Sequence, residues 1–183
     1  NITMRITTGK YRNFKIYMPR GIRPTQDLVR KAVFDILGDI SGLAFLELYA
    51  GSGAVGLEAL SRGASSLTMV ESNCDSILAI KRNIELLKAP ACNLYHLEAD
   101  KGVKLLALDK KLFNIIFIDP PYHLDMAKKI LQTLEGYDIL APHGLIIVQH
   151  FKSEELPKDN QNFSLIKEAK YGDTWLSIFK KKE

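Results

Sequence analysis

Residues 43–57 read LAFLELYAGSGAVGL, and this stretch decides the fold. An apolar run, interrupted by Glu47, leads into a glycine turn, and the apolar residues after the turn begin a helix. Gly51, Gly53 and Gly56 satisfy the spacing G-x-G-x-x-G, which lets the backbone approach a bound ligand closely. The pattern predicts a strand, a turn and a helix at the ligand-binding edge of an α/β sheet. Without a ligand, the same glycines would serve to pack the helix tightly on the sheet.

A second acidic residue has the spacing of an adenosine-binding site. Glu71 follows the apolar run 67–70 and lies twenty residues after Gly51. A carboxylate at this position can accept both hydroxyl groups of a ribose, so NAD and S-adenosylmethionine are both possible ligands. Glu47, four residues before Gly51, stands where a dinucleotide site usually has an apolar residue. This residue and the lack of a pyrophosphate-specific feature favour S-adenosylmethionine.

The tetrapeptide Asp119-Pro120-Pro121-Tyr122 follows the apolar run 113–118 and indicates methylation of an exocyclic amino nitrogen. Such a nitrogen is a poor nucleophile, because its lone pair is delocalised into the ring. The Asp119 carboxylate and the Pro120 carbonyl can each accept one N–H and direct the lone pair towards an electrophile. Proline suits this position because it has no competing N–H, and Tyr122 can stack on the base. The alternative is a strand that ends in a Pro-Pro turn.

Asp100 follows the predicted strand 93–97, at the sheet edge where open α/β sheets bind ligands. It could accept the amino group of an adenine, or it could be the N-cap of a helix over 101–108. The glycine turn, Glu71, Asp100 and Asp119 follow four successive predicted strands, which places them along one edge of one sheet.

Strands and helices alternate along the chain, and the last two strands, 163–170 and 174–180, form a hairpin around Tyr171-Gly172-Asp173. The fold class is therefore α/β and Rossmann-like, with a mostly parallel sheet and an antiparallel C-terminal edge. The 183 residues are 46% hydrophobic, which suits one compact domain. We divide it into a basic N-terminal extension, residues 1–40, and a catalytic part, residues 41–183.

The cysteine, histidine and apolar residues indicate whether the protein binds a metal and where in the cell it works. Cys74 and Cys92 do not form a CxxC pair, and the four histidines have no metal-ligand spacing, so we expect no metal. No apolar stretch is long enough for a membrane span or a signal sequence, and we expect a cytoplasmic protein.

Positive charge is concentrated near the N-terminus. Residues 1–31 hold eight lysines and arginines against Asp27 alone, a charge of +7, while the whole chain carries +4. A basic segment beside a catalytic part that is slightly acidic suits a polyanionic substrate. Tyr11, Phe14 and Tyr17 lie between these charges and could stack on unpaired bases or pack onto the domain.

These motifs together resemble the bacterial RsmD-like methyltransferases, which methylate guanine N2 in small-subunit ribosomal RNA. The resemblance covers nearly the whole chain, and 50–64 is its most specific part. The matching segments are 5–12, 23–25 with Asp27, Val29, Arg30 and Phe34, 45–64, 70–71, 119–122 and 171–174. The chain departs from the family pattern at Glu47, which replaces a more usual Asp, and at Gln149, which stands where the family has an acidic residue.

The resemblance implies a seven-stranded class I methyltransferase fold with S-adenosylmethionine as the methyl donor. The expected partner of the protein is 16S ribosomal RNA in small-subunit particles. We expect the protein to be a monomer and to transfer the methyl group directly to the base. The residues expected to face the cofactor are Glu47, Gly51, Gly53, Glu71 and Asp100. Those expected to face the guanine are Asp119, Pro120 and Tyr122, and those expected to contact RNA are Arg5, Lys10, Arg12, Arg23 and Thr25.

Three other functions remain open from the residues themselves. A DNA adenine-amino methyltransferase can use the same tetrapeptide, although the chain has little room for a target-recognition region. An NAD-dependent oxidoreductase would account for the glycines and Glu71 but not for residues 119–122. A noncatalytic RNA-binding protein would use the basic segment alone.

Overall fold

The structure is a computed structural model that describes residues 4–21, 27–122 and 125–183. Within these residues the chain forms nine strands and five helices. The strands are β1 (Met4–Arg5), β2 (Lys15–Ile16), β3 (Ala44–Leu48), β4 (Ser66–Glu71), β5 (Cys92–His96), β6 (Phe113–Ile118), β7 (Leu140–Phe151), β8 (Phe163–Tyr171) and β9 (Thr174–Lys181). The helices are α1 (Asp27–Leu37), α2 (Ala54–Ser61), α3 (Cys74–Leu87), α4 (Ala99–Leu108) and α5 (Met126–Gly136).

Seven strands form one sheet in the order β5-β4-β3-β6-β7-β9-β8. The strands β5, β4, β3, β6 and β7 are parallel, and β9 is antiparallel to both of its neighbours. β3 and β6 are near-continuous apolar runs because helices cover both faces of the parallel strands. The predicted fold class, a mostly parallel sheet with an antiparallel C-terminal edge, is confirmed.

The two faces of the sheet have separate hydrophobic clusters. On one face, called here the hairpin face, Phe45 packs with apolar residues of α1, α2 and α3 and of the N-terminal hairpin β1–β2. On the opposite face, Leu46 and Leu48 pack with α4 and α5. The alternation of Phe45 with its neighbours follows the two-residue period of a strand.

The N-terminal hairpin shares the core of the sheet. β1 and β2 pair antiparallel, with Met4 opposite Ile16, and Ile16 is buried in the cluster of the hairpin face. Gly9 lies against the end of α2, where its φ is +84° and an added Cβ would stand 1.8 Å from the Ser61 carbonyl oxygen. Glycine is therefore required at this contact.

The start of β7 is irregular, and the start of α4 differs from the sequence prediction. β7 begins at Leu140, and its pairing with β6 shifts register between the pairs Phe113–Leu140 and Ile115–Leu145, so the Pro142-His143-Gly144 segment is an irregular part of the strand. His143 has a φ of +61° there. α4 begins at Ala99, two residues before its predicted start.

Candidate active site

The centre of the site is the carboxyl edge of β3, where β4 pairs on one side and β6 on the other. The connection after β3 leads to β4 on one side, the connection after β6 leads to β7 on the other side, and open α/β sheets bind ligands where this direction reverses. Glu47 in β3, Asp119 after β6 and Gln149 in β7 each lie two residues after a residue of the hairpin-face cluster. The strand period therefore places these three polar residues on the hairpin face of three adjacent strands.

Glu47 is a buried carboxyl, with 3% of its surface exposed. Its Oε2 accepts the backbone N–H of Gly56 at 2.9 Å. The pKa of Glu47 is raised from 4.5 to about 8, mainly by burial and also by the charges of Asp119 and Glu71, against the opposing effect of the Gly56 N–H. An added Cβ on Gly56 would lie 2.6 Å from Glu47 Oε2. The third glycine of the turn thus makes room for this carboxyl.

Glu71 holds the glycine turn in place. Its Oε2 accepts the backbone N–H of Gly51 at 2.7 Å, and its Oε1 accepts the N–H groups of Ser72 and Asn73, each at 2.8 Å. Gly51 and Gly53 both have positive φ, of +58° and +75°. The structure therefore brings Glu71 against the turn, at the end of β4 as the sequence predicted.

The tetrapeptide begins directly after β6. The Asp119 N–H donates to the Leu48 carbonyl at 3.5 Å, which ties this residue to the end of β3. Pro120 is buried, whereas 41% of Tyr122 is exposed. The Tyr122 hydroxyl accepts a hydrogen bond from Gln149 Nε2 at 3.2 Å. Residues 119–122 thus extend from the centre of the site to its surface.

Asp100 lies in the first turn of α4, and the N-cap of that helix is Glu98. The N-cap alternative for Asp100 is therefore wrong, because the helix begins before it. Its carboxylate is about half exposed and lies 3.8 Å from Lys104 Nζ.

A cavity of about 260 Å³ opens beside Asp100, and Tyr49 and Met126 also line it. Tyr49 has a φ of +58°, a conformation uncommon outside glycine. Burial raises the pKa of the Tyr49 phenol to about 12, and the charges of Asp100 and Glu98 act in the same direction.

Known proteins resemble this chain over nearly its full length. The family described as Conserved hypothetical protein 95 matches residues 4–180. Ribosomal RNA small subunit methyltransferase D of Escherichia coli (strain K12) is 33% identical over 181 residues, which cover 97% of this chain and 90% of the relative.

The chain belongs to the RsmD-like family.

Solved structures agree with membership of the RsmD-like family. The yhhF protein of Escherichia coli superimposes with a TM-score of 0.85 and 31% identity over 98% of both chains. RsmC of T. thermophilus, a 16S rRNA N2 methyltransferase in complex with AdoMet and guanosine, shares the fold, with a TM-score of 0.76 at 20% identity. That match covers 99% of this chain and 50% of RsmC.

The basic residues of this RsmD-like protein lie on the surface of the hairpin. Arg5, Lys10 and Arg12 are exposed, whereas Arg23 and Thr25 lie outside the described residues. The three aromatic residues between the charges differ from one another: Tyr11 is 6% exposed and belongs to the core, while Phe14 and Tyr17 are 46% and 42% exposed. Base stacking is thus open to Phe14 and closed to Tyr11, while the Arg82 guanidinium, 3.5 Å from the ring centroid, already covers one face of Tyr17.

Sequence reasoning missed two buried polar residues that attach the hairpin to the site. The fully buried Glu58 of α2 accepts the N–H groups of Thr7 and Thr8 at 2.9 and 3.1 Å, and the Thr7 hydroxyl at 2.7 Å. Asn83 of α3 donates to the carbonyls of Tyr17 and Ser52, both at 3.0 Å. The sequence signal that could have revealed them is a polar residue on the apolar, buried side of each helix.

The described part of the chain has neither a metal-binding cluster nor a membrane-spanning helix. It holds no cluster of three or more His, Cys, Asp or Glu side chains that could bind a metal ion. No helix in it has the length and apolar character needed to cross a membrane.

Proposed function

We propose that the protein transfers a methyl group from S-adenosylmethionine to the exocyclic N2 of a guanine in small-subunit ribosomal RNA. The observation that carries this proposal is the position of Asp119-Pro120-Pro121-Tyr122. The tetrapeptide starts at the centre of the carboxyl edge, hydrogen-bonded to the end of β3, where the glycine turn also begins.

The residues present fit the cofactor. The turn at Gly51 and Gly53 has the backbone conformation that leaves space for a nucleoside, and Glu71 stands beside it to accept ribose hydroxyls. The cavity beside Asp100 has room for a purine ring, whose amino group Asp100 would accept. Bound S-adenosylmethionine supplies an electrophilic methyl group. Glu47 supplies a buried carboxyl whose ionised form a nearby cation would favour.

The target amino group would be held by the chain itself. The Asp119 carboxylate and the Pro120 carbonyl each accept one N–H of guanine N2, so the nitrogen lone pair points away from them and towards the donor. The Asp119 charge balances the positive charge that develops on the nitrogen. Tyr122, exposed at the surface end of the tetrapeptide, stacks on the base. The transfer would be direct, without a covalent link to the protein: the bond from N2 to the methyl carbon would form as the methyl–sulfur bond of the donor breaks and S-adenosylhomocysteine leaves. The proton that N2 loses would pass to the Asp119 carboxylate or to water.

The substrate follows from the charged hairpin and from the family. Residues 1–40 serve as an RNA-facing extension of the catalytic part, 41–183, and Arg5, Lys10 and Arg12 contact phosphates. Arg23 and Thr25, which lie outside the described residues, are proposed to contact the RNA as well. A relative of similar length is named for the small subunit of the ribosome, which favours 16S ribosomal RNA in small-subunit particles, bound by a monomer of this protein.

The test is transfer of radiolabelled methyl from S-adenosylmethionine to small ribosomal subunits from cells that lack the gene. We expect the label in N2-methylguanosine after digestion to nucleosides, and no label with Asp119→Ala. Label in a different nucleoside would reject the guanine N2 assignment. Label in duplex DNA and none in the subunits would favour an adenine-amino methyltransferase of DNA.

A further inference from the structure

Gln149 lies beside the proposed methyl-accepting site but has no role in the proposed mechanism. β6 and β7 are parallel, and their last register pair joins Ile118 to Val148. Asp119 directly follows β6, and Gln149 is the next residue of β7 after Val148, so the two residues lie side by side. Gln149 is 5% exposed, and its side chain lies on the hairpin face, as Asp119 does.

Only one of the two polar atoms of the Gln149 amide has a hydrogen-bond partner. Nε2 donates to the Tyr122 hydroxyl at 3.2 Å, while Oε1 is buried and has no hydrogen-bond partner. Exchanging the amide oxygen and nitrogen would leave the nitrogen without an acceptor instead, so one polar atom stays unpaired in either orientation. A buried unpaired polar atom lowers the stability of a fold, and such atoms mark places where a ligand can supply the missing partner.

We propose that Gln149 recognises the ring edge of the target guanine next to the amino group that Asp119 holds. This inference rests on the proposed function. Guanine carries a donor, N1–H, adjacent to N2, and an acceptor, O6, beyond it. Gln149 Oε1 accepts N1–H and Nε2 donates to O6, so the amide pairs with two neighbouring atoms of the base. Asp119 and Gln149 together thus contact N2, N1 and O6.

Tyr122 connects this recognition to base stacking. Among the described contacts, its ring is held by the hydrogen bond to Gln149 and by the ring of Phe151, whose centroid is 6.1 Å away. When Tyr122 turns to stack on the base, its hydroxyl leaves the Gln149 amide. The amide then exchanges a contact with Tyr122 for contacts with guanine, and no polar atom of Gln149 is left unpaired.

The test compares two RNAs that differ in the target base. One carries the guanine that the labelling experiment identifies, and the other carries 2-aminopurine at that position, introduced by ligation of a synthetic segment. 2-Aminopurine keeps the amino group but has no N1–H and no O6. We expect the wild-type protein to prefer guanine in kcat/KM by about tenfold to a hundredfold, the usual range for a good two-point contact to a base.

Two variants separate recognition from a structural role. Gln149→Met keeps the size of the side chain without its polar atoms, and we expect the preference for guanine to fall to about twofold or less. Gln149→Glu keeps the oxygen that accepts N1–H but has no donor for O6, so we expect its preference to lie between those of the wild-type protein and Gln149→Met. Because both RNAs are assayed with the same preparation, any loss of folded protein cancels in the ratio.

The outcomes distinguish this inference from the function on which it rests. An unchanged preference in Gln149→Met, with transfer still abolished by Asp119→Ala, would overturn the role of Gln149 and leave the methyltransferase assignment intact. A failure of the wild-type protein to methylate the guanine RNA would overturn both.

Discussion

At the scale of single residues, the most unusual group is the Glu47 carboxyl, which the fold encloses at the centre of the sheet edge. Its pKa in the folded state is raised to about 8 from the ordinary value of 4.5. Between these values the folded protein holds a proton that the unfolded chain has released. The stability that this carboxyl contributes is therefore fully present below pH 4.5 and lost as the pH rises through about 8.

Replacement of Glu47 by Gln should remove that pH dependence. Gln keeps an oxygen that can accept the Gly56 N–H, but it does not ionise. We compare the ligand-free wild-type protein with this variant between pH 4.5 and about 8. In this range, we expect the free energy of unfolding of the wild-type protein to fall by about 1.4 kcal/mol per pH unit relative to that of the variant. Urea denaturation at pH values from 5 to 8 measures it. Parallel curves for the two proteins would show that Glu47 ionises freely in the folded state.

Asp119→Ala should separate binding from transfer. The variant loses the acceptor that orients the target amino group, while Glu71 and the glycine turn are unchanged. We expect turnover to fall by at least about a hundredfold, since misorientation alone can cost that much. The Kd for S-adenosylhomocysteine, measured by calorimetry, should change by less than about threefold, a small difference in free energy. Turnover equal to that of the wild-type protein would remove Asp119 from the proposed mechanism.

At the scale of elements, the N-terminal hairpin is attached to α2 by hydrogen bonds to Ser61 and to the buried carboxylate of Glu58. Glu58 accepts from Thr7, Thr8 and Arg62. Glu58→Gln replaces one acceptor oxygen by a donor that faces other donors, so we expect a loss of about 1–3 kcal/mol in the free energy of unfolding. Hydrogen exchange at the amides of Thr7 and Thr8 should also become faster.

Glu85→Gln is the matched control, because Glu85 is an exposed residue of α3. It should change the free energy of unfolding by less than about 0.5 kcal/mol. Equal protection of the Thr7 amide in wild-type protein and Glu58→Gln would contradict the attachment.

The elements themselves were largely predictable, and the contacts between them were not. The glycine turn and Glu71 could be found because the turn, the helix α2 and the strand β4 fix their spacing of twenty residues. The contact of Tyr122 with Gln149 joins residues 27 apart, and that of Asn83 with Tyr17 joins residues 66 apart. Such pairs depend on strand order and helix packing, which the local pattern does not contain.

The first residue of α4 was also difficult to predict from the sequence. Asp100 is a good N-cap residue by type, yet the helix begins at Ala99 after Glu98. Because several acidic residues near a helix start can serve as caps, residue preference alone does not determine which one does.

At the scale of the whole molecule, exposed positive charge is concentrated on the N-terminal hairpin, outside the proposed catalytic part. The exposed basic residues Lys10 and Arg12 lie on the hairpin, and we expect them to contact RNA phosphates. Removing both, as Lys10→Ser with Arg12→Ser, should weaken RNA binding and reduce the slope of log K against log salt by about 1.5–2. Binding titrations at several salt concentrations give this slope.

The control for that experiment removes the same charge elsewhere. Lys111, in the turn before β6, and Lys167, on the edge strand β8, are exposed lysines away from the hairpin. Replacing both with Ser should leave the slope within about 0.5 of the wild-type value, because distant charges release few counterions. Equal slopes for the two double variants would mean that the protein binds RNA through its overall charge.

The strand order of the large sheet also governs when a newly made chain can finish folding. The ribosome synthesises β8 before β9, yet β9 occupies the place between β7 and β8. Until Thr174–Lys181 has emerged, β7 presents an open edge and β8 has no strand to join. A nascent chain can therefore assemble the glycine turn and the parallel strands early. It closes the side of the sheet next to Gln149 only when this late strand is inserted.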